Sequence, residues 1–123
     1  MKENNDVLIK SKGFALRIIK LYKYLVSEKK EFVLSKQLLR SGTSIGANVR
    51  ESQRGYSKDD FYYKLSLSLK EAEESAYWLE LLFESEFLNE KYFNSIYEDC
   101  NDIIALLVAI QKKERKIKNN YSG

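Results

Sequence analysis

Residues 35–82 read SKQLLRSGTSIGANVRESQRGYSKDDFYYKLSLSLKEAEESAYWLELL, and this stretch decides the fold. Its first half places small and polar residues, including Gly42 and Gly46, within an apolar pattern of helical spacing. Glycine inside a helix costs about 1 kcal/mol relative to alanine. Two glycines four residues apart therefore indicate a packing requirement, and we expect a second helix to approach closely there.

The composition indicates one helical domain, which we place over residues 1–123. The chain has no proline, five glycines, 44% apolar residues and 32% charged residues. A chain of this length buries a core without disulfides. It contains no apolar run of the roughly 18 residues that a membrane span requires, and its N-terminus lacks the apolar stretch of a signal peptide. We therefore expect a cytoplasmic protein with no membrane partner.

The spacing of apolar residues predicts four helices, over about residues 6–27, 35–53, 58–86 and 90–117. Ser35, Ser57 and Asn89 are the candidate N-caps, because their side chains can accept a hydrogen bond from a free backbone N–H. Short connections between long helices favour antiparallel neighbours. The predicted fold is therefore an all-α, antiparallel, up-down-up-down four-helix bundle.

Two helices carry apolar patterns that the fold has to satisfy. The stripe predicted to be buried on the first helix comprises Leu8, Ala15, Ile18, Ile19, Tyr22, Leu25 and Val26. The third helix has a core stripe of Tyr62, Leu65, Leu69, Ala72, Ala76, Leu79 and Phe83, and on its opposite side Tyr63, Leu67, Trp78 and Leu81. A helix that is apolar on both sides buries a second interface. We therefore predict an oligomer interface at the second set.

The net charge of +3 conceals a strong asymmetry. Residues 71–102 carry ten acidic side chains and one basic side chain. In the predicted topology, four of these acids gather at the turn between the third and fourth helices: Glu80, Glu84, Glu86 and Glu90. The opposite end, which we call the basic end, collects Lys10, Lys12, Arg50, Arg54, Lys58, Lys112, Lys113, Arg115, Lys116 and Lys118. Such side chains bind phosphates without reading bases, so this end is the candidate nucleic-acid-binding surface.

A set of polar residues lies along the second and third helices: Arg40, Ser44, Asn48, Glu51, Arg54, Lys64, Glu71 and Glu74. One interpretation is a carboxylate site at Glu71 and Glu74, which project to similar faces. The other is a network between helices or subunits that satisfies buried polar groups and fixes register. We favour the network, because acid–base or metal chemistry needs further partners.

The chain has no histidine and a single cysteine, Cys100, on the apolar stripe of the fourth helix. A catalytic thiol needs a base, so Cys100 is interpreted as a core residue. Tyr77 and Trp78 have faces on which bases can stack, although their helical spacing favours burial. We predict no catalytic residue, no metal and no cofactor.

Three segments carry a resemblance to a known family: QLLRSGTSIGANVRES (37–52), FYYKL (61–65) and KEAEESAYWLELL (70–82). They resemble the bacterial four-helix-bundle family named for proteins encoded in intervening sequences of 23S ribosomal RNA genes. Ser52 departs from the alanine of many relatives. The resemblance implies a ring-like homopentamer and similarity to the accessory variability protein of diversity-generating retroelements, which binds nucleic acid and a reverse transcriptase. It also implies a polar network at eight recurrent polar positions of the family, which fall here on Arg40, Ser41, Ser44, Asn48, Glu51, Lys64, Glu71 and Glu74.

Together, these observations predict a non-enzymatic, homo-oligomeric adaptor, which the resemblance implies is a pentamer. It would bind RNA or another nucleic acid through the basic end, largely without sequence readout. The alternative is an oligomeric scaffold that recruits a protein partner, such as a reverse transcriptase, and does not bind nucleic acid. Steep salt dependence of RNA binding distinguishes the two.

Overall fold

The computed structural model describes residues 2–122 and the side chains of residues 5–120, so both terminal residues of the predicted domain lie outside it. It consists of four helices: α1 (Lys2–Ser27), α2 (Leu34–Ser52), α3 (Lys58–Glu84) and α4 (Glu90–Ser122). The described residues form no strand, and the all-α prediction is confirmed. Helix α1 begins earlier and α4 continues further than the apolar spacing indicated.

Contacts between α3 and α4 run in opposite directions along the two helices. Gln111 Nε2 donates to the backbone oxygen of Tyr62 at 3.2 Å, and Tyr97 Oη donates to Glu80 at 2.8 Å. Helix α2 packs against α1 and α3, and α4 packs against α3 and α1. The helices therefore form the antiparallel, up-down-up-down bundle that the short connections predicted.

Two of the three predicted N-caps are confirmed. Ser57 Oγ accepts a hydrogen bond from the Asp60 N–H at 3.1 Å, which starts α3. Asn89 Oδ1 accepts one from the Tyr92 N–H at 2.8 Å, which starts α4. Short polar side chains at these positions replace the intrahelical acceptors that the first turn lacks.

The prediction of Ser35 as the N-cap of α2 is wrong. Helix α2 begins at Leu34, and the buried Ser35 hydroxyl donates to the backbone oxygen of Glu31 at 2.7 Å. The Glu31 carboxylate instead accepts hydrogen bonds from the N–H groups of Val33, Leu34 and Ser35 at 3.2, 3.0 and 2.6 Å. Burial alone would raise the pKa of Glu31, but these backbone hydrogen bonds lower it.

The predicted stripe on α1 is partly wrong, because the buried side chains lie about one residue away. The buried residues of α1 are Val7, Ser11, Phe14, Ile18, Leu21 and Leu25. Only Ile18 and Leu25 belong to both sets, and Ile19 is 36% exposed. The buried positions alternate by four and three, but one of them is the polar Ser11. The predicted stripe therefore followed apolar residues next to the buried positions instead.

The rest of the core follows the sequence pattern closely. On α3, Leu65, Ala72, Ala76 and Leu79 are buried, as predicted. Helix α4 contributes Phe93, Ile96, Cys100, Ile103 and Leu107. On α2 the core residues are Leu38, Gly42, Ile45 and Val49, accompanied by Ser35, Ser41 and Ser52.

Candidate functional site

Arg40 of α2 lies at the centre of a polar network that joins α2 to α3. Its Nη1 lies 3.2 Å from Glu71 Oε2, and its Nη2 pairs with Glu74 Oε1. Glu74 Oε1 also accepts a hydrogen bond from Trp78 Nε1 at 3.2 Å. The hydrogen bond to Glu74, followed by the charge of Glu71, raises the pKa of Arg40. The Arg40 guanidinium therefore pairs with the carboxylates of Glu71 and Glu74, and the Glu74 carboxylate also accepts a hydrogen bond from the Trp78 indole.

Buried serines extend this network into the contact between the helices. Ser41 Oγ lies 2.8 Å from Ser75 Oγ, and Ser68 Oγ donates to the backbone oxygen of Ile45 at 2.8 Å. Sequence reasoning missed Ser68 and Ser75. Their seven-residue spacing on the core side of α3 is the signal that could have identified them, because residues seven apart share a helix face.

The other predicted polar residues divide into two groups. Lys64 Nζ pairs with Glu51 Oε2 at 2.9 Å across the two helices, and this hydrogen bond raises the pKa of Lys64. Ser44 and Asn48 bond only within α2, to the backbone oxygens of Arg40 and Ser44 at 2.6 and 3.0 Å. The structure therefore unites six of the eight predicted residues across the α2–α3 contact.

These contacts favour the network over a carboxylate site. Arg40 pairs with the carboxylates of both Glu71 and Glu74, so neither carboxylate is free to take a proton from a substrate. Across the described residues, no group of three or more histidine, cysteine, aspartate or glutamate side chains is placed to hold a metal ion. The Cys100 thiol is buried and donates to the backbone oxygen of Ala72 at 3.3 Å. Burial raises the pKa of Cys100 to about 12, as befits a core thiol.

The fold brings the two main segments of the predicted basic end close together. Arg50, Arg54 and Lys58 are exposed around the α2–α3 turn. Glu114 and Lys118, in the last turns of α4, line one groove together with Asp59 at the start of α3. These two segments therefore lie close to each other. The exposed bases of those turns are Lys112, Lys113, Arg115, Lys116 and Lys118, the last paired with Glu114 at 2.9 Å.

Lys10 and Lys12 lie on α1, further from the end of the bundle than the other bases do. Lys12 is exposed. Lys10 lines a groove between α1 and α4 together with Asp99 and Asp102, two carboxylates that reduce its availability to a phosphate. At the opposite end of the bundle, Lys29 shares a groove with Glu84 and Glu86, so bases accompany the acids there.

The predicted oligomer face lies on the outer side of α3. Tyr63 is 61% exposed, whereas Leu67, Trp78 and Leu81 are half-buried in the single chain. Tyr77 is also exposed, and its ring centroid lies 5.3 Å from that of Trp78. Trp78 packs against the hydrophobic core, unlike the outer residues Leu67 and Leu81, and the ring of Tyr77 leans on it.

Sequence reasoning missed two further residues. Arg17 of α1 pairs with Asp99 of α4 at 2.6 Å and lies 5.5 Å from the ring centroid of Tyr92. It borders a groove of about 480 Å³ whose floor includes Leu21 and Leu88. The sequence did offer a signal for this ion pair. The predicted bundle places α1 beside α4, so a basic residue of α1 could be expected to face the acidic residues of α4.

The second residue is Tyr56, in the α2–α3 turn. Its side chain is fully exposed, with a relative accessibility of 100%. Its position in the sequence, between Arg54 and Lys58, could have identified it, since an aromatic side chain among bases is a pattern of nucleic-acid-binding surfaces.

Among the helices of the described part of the chain, none has a stretch both long and apolar enough to cross a membrane.

The fold and this site define an antiparallel four-helix bundle whose second and third helices are joined by a charged network. The profile of the 23S rRNA-intervening sequence protein family matches residues 3–109, and the chain belongs to this family. The match includes the α2–α3 turn and ends before the last bases of α4. No curated protein matches the chain.

A solved structure from Bacteroides thetaiotaomicron VPI-5482, a protein of unknown function from the S23 ribosomal protein family, is similar to this chain. The two are 53% identical, with a TM-score of 0.88, over 89% of this chain and 98% of the other. The comparison therefore agrees with the family assignment and with the four-helix fold.

Proposed function

We propose that this protein is a non-enzymatic, homo-oligomeric adaptor of the cytoplasm that binds RNA through its basic end without reading sequence. The observation that carries the proposal is the convergence of two exposed basic segments. One is the α2–α3 turn with Arg50, Arg54 and Lys58, and the other comprises the last turns of α4. The name of the family, which refers to intervening sequences of 23S rRNA, supports RNA as the partner.

The physical basis of binding is the release of counterions. Each phosphate that a lysine or arginine neutralises frees a condensed cation, so the affinity falls steeply as salt rises. These contacts go to the sugar–phosphate backbone and therefore discriminate little between sequences.

A homo-oligomer, which we propose to be a pentamer, would present the basic end several times. Weak single contacts on one RNA then add through a high effective concentration. The outer face of α3, with the exposed Tyr63 and the half-buried Leu67 and Leu81, is the proposed subunit contact. Apolar side chains on that face favour a protein neighbour over water.

Fluorescence anisotropy tests the proposal with a structured ribosomal RNA fragment and an unrelated RNA. We expect similar affinity for both, falling by about 10³-fold or more between 50 and 200 mM salt if at least six phosphates are contacted. The test variant changes Lys112, Lys113, Arg115 and Lys116 to alanine, and it should lose most of the affinity.

A control variant changes Lys20, Lys23, Lys29 and Lys36 to alanine. It removes the same charge from exposed positions elsewhere on the protein and should bind as the parent does. Equal losses in the two variants would show a general charge effect and contradict a localised site. Absence of binding by the parent at low salt would refute RNA binding and favour the scaffold that recruits a protein.

A further inference from the structure

We infer that the basic end binds single-stranded nucleic acid and that Tyr56 is the platform on which an unpaired base stacks; this inference rests on the proposed function. Tyr56 has no part in the folding core, since its side chain is fully exposed at the α2–α3 turn. An aromatic ring left entirely in water gains nothing from burial, and here a basic residue lies two positions away on each side, with Asp59 and Asp60 following Lys58.

Tyr56 is flanked by exposed bases on both sides. Arg54 precedes it by two residues and Lys58 follows it by two, so each Cα lies within about 7 Å of the Cα of Tyr56. Arg50 is also exposed and lies in the last turn of α2, four residues before Arg54. A nucleotide whose base stacks on the ring would therefore have cations within reach of its own phosphate and of the next one.

The turn holds Tyr56 on a well-defined backbone. The N–H of Arg54 bonds to the backbone oxygen of Glu51 at 3.0 Å, and that of Gly55 bonds to Ser52 at 3.2 Å. A Cβ added to Gly55 would lie 3.1 Å from the backbone nitrogen of Phe61, so the turn lies closely over the first turn of α3. Ordering the ring on binding therefore costs little backbone entropy.

The exposed tyrosines of α3 have different surroundings. Tyr77 has no basic residue within three positions of it in the sequence, where Glu74 and Glu80 lie instead, and its ring leans against Trp78. Tyr63 lies on the outer face of α3, the proposed subunit contact. Tyr56 is the exposed tyrosine with a base two residues away on each side, which is the combination that single-strand binding uses.

The preference for a single strand follows from access to the base. In a duplex the faces of the bases are covered by their neighbours, whereas an unpaired base can stack on an aromatic side chain. Such stacking tolerates any sequence, because every base has a π-face. Single strands of ribosomal RNA and of DNA both satisfy this chemistry, and comparing the two is one arm of the test.

The test measures binding of the full chain by fluorescence anisotropy. The probes are an unstructured RNA of about 12 nucleotides, the corresponding DNA and a duplex of the same sequence. We expect Tyr56→Ala to weaken single-strand binding about ten- to a hundredfold and to leave duplex binding and the salt dependence unchanged. Tyr56→Phe should retain the affinity, because it keeps the aromatic face. Tyr77→Ala is the matched control and should bind as the parent does.

Folding does not confound this experiment, since replacing a fully exposed side chain leaves the stability of the fold almost unchanged. If Tyr56→Ala binds single strands as the parent does while the variant lacking Lys112, Lys113, Arg115 and Lys116 does not, the stacking inference is wrong and the proposed function stands. Equal losses for single strands and duplex would also overturn it. If the parent binds none of the three probes, both proposals fail.

Discussion

Gly42 of α2 lies directly against Ile18 of α1: a Cβ added to Gly42 would be 2.8 Å from Ile18 Cγ1 and 3.3 Å from Ile18 Cβ. The second distance involves the base of a β-branched side chain, whose χ1 is stiff. The glycine therefore allows an approach of α1 and α2 that no other residue permits without movement. A Cβ added to Gly46, one turn later, would lie 3.4 Å from Ser11 Oγ. This is an ordinary van der Waals distance, so there is space for a methyl group.

We expect Gly42→Ala to destabilise the protein by about 1–2 kcal/mol, because overpacking exceeds the gain in helix propensity. Gly46→Ala should leave stability unchanged or raise it by up to about 1 kcal/mol, since propensity then acts alone. Urea denaturation of both variants checks the pair. A stabilised Gly42→Ala would contradict the close approach.

Arg40→Ala should destabilise the contact between α2 and α3 by about 1 kcal/mol, because Glu71 and Glu74 would lose their shared cation. The matched control is Lys64→Ala, which removes the pair with the more exposed Glu51 and should cost less than Arg40→Ala. Urea unfolding measures both costs. The emission of Trp78, the single tryptophan, should shift in Arg40→Ala alone, because its indole bonds to Glu74. Equal costs for the two variants would contradict a special role for Arg40.

The lowered pKa of Glu31 should make the stability of the protein depend on pH. Its lowered pKa means that the ionised carboxylate stabilises the fold, fully above the ordinary value of 4.5 and progressively less as the pH falls below it. Glu31→Gln should therefore lose about 1 kcal/mol at pH 7, as for loss of an N-terminal cap, and the difference from the parent should shrink in acid. Thermal unfolding between pH 3 and 7 measures it. A difference that does not vary with pH would refute the cap.

Cys100 should be inert in the native protein. Burial raises its pKa from the ordinary 9.0 to about 12, so at pH 8 almost no thiolate forms and no reagent reaches the sulfur. Its contribution to stability is present below the unfolded pKa and is lost as the pH rises above it. A thiol reagent such as Ellman's should react only after denaturant is added. Rapid reaction of the folded protein would show that α4 opens.

The outer face of α3 should carry the subunit contact. Leu67→Glu and Leu81→Glu place a charge in the proposed interface and should reduce the mass measured by light scattering to that of smaller species. Their circular dichroism should stay helical, because both residues lie on the side of α3 opposite its core stripe. Leu16→Glu, on the exposed face of α1, is the control and should keep the parental mass. Unchanged mass in the α3 variants would place the contact elsewhere.

Much of the fold was predictable because its signals are local. The stripe of Leu65, Ala72 and Leu79 repeats every seven residues, so one face of α3 is apolar whatever surrounds it. The caps Ser57 and Asn89 lie beside the helices they start. Ser11 could not be assigned to the core in this way. A serine is buried in a core only where its hydroxyl finds an acceptor, here the backbone oxygen of Leu8 at 3.3 Å.

The candidate site was predictable only in part. The sequence identified Arg40, Glu71 and Glu74 as a set, but their pairing depends on how α2 and α3 are rotated against each other. Arg17 and Asp99 are far apart in the chain, and only the adjacency of α1 and α4 brings them to 2.6 Å.

By itself, the sequence determined the number of helices, their antiparallel order and the total charge, since these follow from short-range periodicity, short connections and composition. Only the tertiary structure decided which polar groups pair and which remain in water. The ring of Tyr56 is fully exposed and the hydroxyl of Ser75 is buried, a difference that the packing of the helices decides. Burial is a property of packed neighbours, and it determines both the stability of this bundle and the surface that it offers to a partner.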